Sequence, residues 1–137
     1  MSWVSLVPSK VLSGIKVGFS ANVKTKYKMT DLNFSDEFTD TPSKFPFVYV
    51  DCIRAKAIGH TFDGGDNAGN FSFQIEVFDN AKKSTAMEVA YEVHKIMKNM
   101  GFLASDFPQH SKNDTHRYTA RYERVIGAND KFNNQSN

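Results

Sequence analysis

The sequence predicts an α+β fold in which an antiparallel or mixed sheet of about four strands packs against an N-terminal helix and a central helix. Three observations carry that prediction. Phe47 to Ile58 and Phe71 to Phe78 are rich in β-branched and aromatic residues with alternating apolar positions, and a Gly/Asp/Asn-rich stretch separates them. Thr85 to Met100 repeats its apolar residues with helical period. His116 to Ile126 alternates again. At 137 residues the chain is the size of one domain, and folding at this length buries roughly two-thirds of the unfolded surface. We place that domain at residues 1–126 and expect a flexible polar tail over 127–137.

The elements follow in order. Val11, Ile15, Phe19 and Val23 recur every fourth residue, which predicts a single helix from Pro8 to Lys28 with Pro8 in its first turn. Lys24, Lys26 and Lys28 gather where cations favour the negative pole of a helix dipole, whereas Gly14 and Gly18 weaken the helix. A short strand is expected at Met29 to Phe34. Ser35 to Lys44 then reads as an acidic, turn-rich loop closed by Pro46.

The strands Phe47 to Ile58 and Phe71 to Phe78 should pair antiparallel, with Thr61 to Asn70 as a long hairpin tip. Phe71, Phe73, Ile75 and Val77 belong to the buried side of the second strand. In the central helix, Thr85 and Glu88 are spaced as a capping box and Gly101 stands where a left-handed cap belongs. Val89, Val93, Ile96 and Met100 form its buried stripe, and Glu88, Glu92, Lys95 and Lys98 are assigned to solvent. Phe102 to Phe107 reads as a short extended segment and Pro108 to Thr115 as a turn-rich connection. In the last strand Tyr118, Ala120, Tyr122 and Arg124 share one face; Arg117, Arg121, Glu123 and Val125 share the other.

Composition excludes several classes of function. A formal charge of +2 is too small for capture of nucleic acid or membrane by bulk charge. The single cysteine, Cys52, rules out an internal disulfide and a multi-cysteine zinc site, as expected of a chain folded in a reducing cytoplasm; it reads as a small buried strand residue. No stretch is long and apolar enough for a signal peptide or membrane span.

Catalytic motifs are missing too. The four histidines, His60, His94, His110 and His116, make no known constellation, and the chain lacks HExxH, GxSxG and Walker-type patterns. His94 reads as a boundary histidine on the central helix. The tip at Asp63 to Asn67 lacks the alternating ligands and closing Glu of a calcium loop. We expect no enzyme activity, no cofactor and no metal. In the last strand Arg alternates with Tyr, but Arg117 and Arg121 fall opposite both tyrosines, so base stacking and phosphate contact would need different surfaces. A half-buried strand with an Arg-rich protein interface fits better.

The placed segments also show a family pattern: Val77-Phe-Asp-Asn80 at the end of a strand, a helix leaving through Met100-Gly101-Phe102, then Tyr118 and the Ala120-Arg121-Tyr122 strand. Together with Lys44-Phe45-Pro46-Phe47-Val48-Tyr49, this order over roughly 80 residues resembles the tail terminator, or tail completion, proteins of long-tailed bacteriophages. Residues up to about Asp40 resemble the family only as a helix followed by a loop.

The resemblance implies a non-enzymatic virion protein of the tail and neck, assembled in the bacterial cytoplasm. Such a protein forms a ring, usually a homohexamer, that caps the head-proximal end of the tail tube and stops its polymerisation. Its partners would be itself, the major tail tube protein and a head–tail connector or stopper protein. DNA would pass through the lumen without sequence-specific binding. On this reading Thr61, Phe62, Asp63, Asp66, Asn67 and Asn70 form a loop contacting tube or ring, and Arg117, Arg121 and Arg124 lie near a subunit boundary. A head-side connector or stopper ring is the nearest alternative, a small nucleic-acid-binding module a more distant one, and a small enzyme the last.

Overall fold

The structure, a computed structural model, describes residues 3–39, 41–60, 66–112 and 115–134. After a 3₁₀ turn at Trp3–Leu6, helix α1 spans Val7–Gly18 and helix α2 spans Ala21–Tyr27. A second 3₁₀ turn at Asp31–Asn33 leads into β1 (Phe34–Ser35), β2 (Phe47–His60) and β3 (Asp66–Asp79). Helix α3 (Lys83–Asn99), β4 (Gln109–Lys112), β5 (His116–Gly127) and the short helix α4 (Lys131–Asn134) complete the chain. The fold is α+β, as the sequence predicts, with five strands where about four were expected. Their order is β1-β2-β3-β5-β4. Only β1–β2 is parallel, so the sheet is mixed.

The expected N-terminal helix is two helices. Phe19 and Ser20 are extended, and the Ser20 hydroxyl accepts from the Val23 N–H at 3.2 Å, starting α2 anew. The apolar repeat runs through the break because Phe19 still points into the core, where it meets Phe34 edge-on. The Ser20 N–H at this junction donates to Glu92 at 2.9 Å, and Glu92 also pairs with Lys95 at 3.2 Å. Glu92, assigned to solvent above, is therefore buried. Its partner is 72 positions away in the chain, beyond the reach of helical periodicity. Gly14 and Gly18 are the price of close packing between α1 and α3: a Cβ at Gly14 would sit 2.7 Å from Met100 Sδ, and one at Gly18 would sit 3.1 Å from Ile96.

The capping box predicted at Thr85 and Glu88 does not form. Asp79 ends β3 with its carboxylate accepting the N–H groups of Ala81 and Lys82 at 3.1 and 2.7 Å, which turns the chain early. Helix α3 starts two residues before Thr85, and Thr85 is buried inside it. Gly101 does adopt the expected left-handed conformation, φ +89°, while Phe102 N–H bonds back to Met97 C=O at 3.0 Å.

The strand expected at Met29 to Phe34 shrinks to a 3₁₀ turn and the two residues of β1, which pair with Val48 and Tyr49 of β2. Buried Asn33 ties this corner down, donating to Pro46 C=O at 2.7 Å. β2 and β3, each 14 residues long, pair antiparallel from Phe47↔Phe78 to His60↔Asp66, with a bulge between Cys52 and Arg54. Cys52 is half-buried, and burial raises its thiol pKa. The presumed turn at Pro108 to Thr115 contains β4, a polar edge strand without the apolar alternation that announces a strand. In the Phe102 to Phe107 segment only Leu103 pairs, through two 2.9 Å backbone bonds to Glu123.

One face of the sheet carries the core. Val48 and Val50 of β2, Phe71, Phe73, Ile75 and Val77 of β3, and Tyr118, Ala120 and Tyr122 of β5 pack there against Val7, Val11 and Ile15 of α1 and against Val89, Val93, Ile96 and Met97 of α3. The segment after β5, expected to be a flexible tail, closes one end of this core: Phe132 of α4 is buried, and Arg124 reaches Asp130 at 3.0 Å.

Candidate interaction surface

Because α1 and α3 both cover the same face, no helix among the described residues covers the other face of the sheet, where Phe38 rests on Tyr49 and Phe47 is buried at one end. Its rows follow from the register: Tyr49, Glu76 and Thr119; Asp51, Gln74 and Arg121; Arg54, Ser72 and Glu123. None of these residues is buried. Such a polar face on an antiparallel ladder is stable in water, and it is where strands hold side chains in fixed positions.

The three arginines predicted at a subunit boundary divide between the faces, as their alternation requires. Arg117 lies on the open face, 3.4 Å from Glu76 and with its Nε donating to Ser111 at 3.2 Å. Arg121 lies on the same face two rows further along β5, donating to Gln74 at 2.9 Å. Arg124 points to the core side, where it bonds both Asp130 oxygens at 3.0–3.1 Å and lies 5.8 Å from the Phe132 ring centroid. It anchors α4, whereas Arg121 is exposed.

The predicted hairpin tip is shorter than expected. Asp66, Asn67 and Asn70 belong to β3, with Asp66 opposite His60 and Asn70 opposite Lys56. The Asn70 amide donates to the Glu123 carboxylate on the open face. Thr61, Phe62 and Asp63 lie outside the described residues. The connection between the strands is thus confined to residues 61–65.

A groove of about 840 Å³ crosses the open face from Ile53 and Arg54 on β2, over Ser72 on β3, to Arg121 and Val125 on β5 and Leu103 beyond it. Three large apolar side chains line it in exposed positions: Ile53 at 43%, Val125 at 53% and Leu103 at 70% exposure. Val125 was legible from alternation alone. Ile53 likewise follows the alternation of Tyr49 and Asp51, with the bulge turning Arg54 to the same face, whereas Leu103 is placed by its bridge to Glu123 and carries no sequence signal. Arg54 and Arg121 outnumber Glu123 among the charges nearest these residues.

The histidine and tyrosine chemistry is on the other side. His94 Nδ1 lies 2.9 Å from the hydroxyl of buried Tyr122, and its ring contacts Phe107. Burial lowers the His94 pKa, with Lys98 adding to the effect, and burial raises that of the Tyr122 phenol. His110 and His116 stack across β4 and β5 at 5.8 Å. Among the described residues no three His, Cys, Asp or Glu side chains gather as a metal site would require, and no helix is long and apolar enough to cross a membrane. Tyr118 and Tyr122 are buried, so neither offers bases a stacking platform beside Arg117 and Arg121. What the open face has is an apolar groove with arginines at its margin, the composition of a protein–protein contact.

No protein-family model matches the chain, and no curated protein matches it significantly.

Proposed function

We propose that this chain is a ring-forming structural subunit that caps the head-proximal end of a long-tailed bacteriophage tail tube, ends tube polymerisation and presents the docking surface for the filled head. The observation that carries the reading is the helix-free sheet face with its apolar, Arg-edged groove, a surface made for protein contact. The resemblance supplies the kind of assembly. Its motifs occupy structural corners: Asp79 turns β3 into α3, Met100-Gly101-Phe102 is the exit from α3, and Ala120-Arg121-Tyr122 lies in β5 beside β3.

A ring needs self-contacts between two different patches, and two further faces for two different partners. The helical layer, the open sheet and the two ends of the strands provide chemically distinct surfaces for these tasks. Negative-stain images of the protein alone and mixed with the tail-tube protein of the same phage test the proposal. The expected result is tubes of uniform ends closed by a disc. Tubes that keep growing at both ends in the presence of the protein overturn it.

A further inference from the structure

We infer that the groove on the open sheet face receives the acidic loop after β1 from a second copy of this chain, in a head-to-tail contact. The inference rests on the ring reading and names the surfaces that would build the ring.

The loop is the chemical complement of the groove. Asp36, Glu37 and Phe38 are exposed in sequence, Phe38 at 68%. Ser35 shapes the loop, its hydroxyl accepting from the Glu37 N–H at 3.0 Å. Phe38 rests one ring edge against Tyr49, centroids 5.9 Å apart, and leaves the rest of its surface uncovered. An aromatic side chain standing clear of its own fold beside two carboxylates is the usual form of an anchor, which gains energy by entering a partner's apolar pocket. In the groove, Ile53, Leu103 and Val125 supply apolar contact while Arg54 and Arg121 supply guanidinium groups for the two carboxylates. From β2 over β3 and β5 to Leu103 is three strand spacings, about 14 Å, wide enough for one loop.

The direction of the contact follows from topology. The loop leaves the sheet where β1 meets Val48 and Tyr49, whereas the groove begins farther along β2 at Ile53 and Arg54 and crosses the sheet to Leu103. Loop and groove are different patches, so each copy offers one of each. A contact of this kind repeats from subunit to subunit and closes into a ring when the rotation permits.

Charge reversal tests the contact, read by sedimentation velocity over a range of protein concentrations in low-salt buffer. The wild-type chain is expected to associate, and added salt to weaken the association. Arg54→Glu with Arg121→Glu, and separately Asp36→Lys with Glu37→Lys, should each weaken self-association by at least about tenfold. An equimolar mixture of the two variants should associate again, because each then offers the other an oppositely charged partner. That recovery also shows that both variants are folded. Phe38→Ala, which alters no charge, should weaken association without responding to the mixing.

A wild-type chain that stays monomeric at every concentration overturns the contact, as do variants that associate like the wild type or a mixture that remains apart. The two readings fail differently. Closed rings formed equally by both charge-reversed variants would remove this contact and leave the ring, whereas charge-sensitive open chains of no fixed number would keep the contact and remove the ring.

Discussion

Glu92 and His94 lie two positions apart on α3 and show how single residues set the stability of this fold. Glu92 is a buried carboxylate holding the first N–H of the α2 junction. Glu92→Ala leaves that donor without its partner and should cost about 1–3 kcal/mol, read as a shift in the urea midpoint; Glu92→Gln, which keeps an acceptor oxygen, should cost less. At His94 the sign is set by burial. Its folded pKa lies below the ordinary value, so the unfolded chain binds the proton more readily and stability falls with acid. The contribution is complete above the unfolded pKa of about 6.5 and is lost as pH falls through the lower folded value. Melting temperature followed against pH should therefore flatten in that window for His94→Gln; an unchanged profile would show that His94 is not the titrating group. Gly101→Ala places a Cβ at φ +89° and 2.9 Å from Arg124 Nε, and should destabilise by more than about 1 kcal/mol in the same urea assay.

At the scale of elements, what was legible in the sequence was whatever rests on local periodicity or turn chemistry. The alternation of Phe71, Phe73, Ile75 and Val77, the stripe of Val89, Val93 and Ile96, and Gly101 as a cap all appear where expected. Elements decided by distant partners did not announce themselves. β4 is a strand because β5 offers it an edge, and the helix break at Ser20 is stabilised by Glu92. The candidate site divides in the same way: alternation assigns Ile53, Arg117, Arg121 and Val125 to the open face, while Arg54 and Leu103 reach it only through a bulge and a single bridge. Toward the end of the chain, polarity hides one buried ring, Phe132, while residues 135–137 lie outside the described residues. Phe132→Ala should release α4 from Arg124, and limited trypsin digestion should then cut after Lys131 well before the wild type is cut there. Equal rates would show that the α4 contact contributes little in solution.

At the scale of the whole molecule, the two-layer arrangement concentrates packing on one side of the sheet, and the proposed recognition uses the other. On that proposal stability and assembly are served by different residues of the same strands: in β5, Tyr118 and Tyr122 hold the core while Arg117 and Arg121 face outward. Substitutions such as Arg121→Glu should accordingly alter association with little change in melting temperature, and a comparable fall in both would merge the two roles.

The short reach of β1 has a consequence for how such a chain behaves at high concentration. β1 covers β2 only at Val48 and Tyr49, and among the described residues the strand beyond has no neighbour on that side. A bare strand border can seed fibrils by recruiting further chains. The bulge at Ile53 and the charges of Arg54 and Lys56 interrupt that template where it would otherwise be longest. Replacing Arg54 and Lys56 with valine should shorten the lag before thioflavin-positive fibrils appear, turning a chain held apart by charge into one that polymerises without a stopping point.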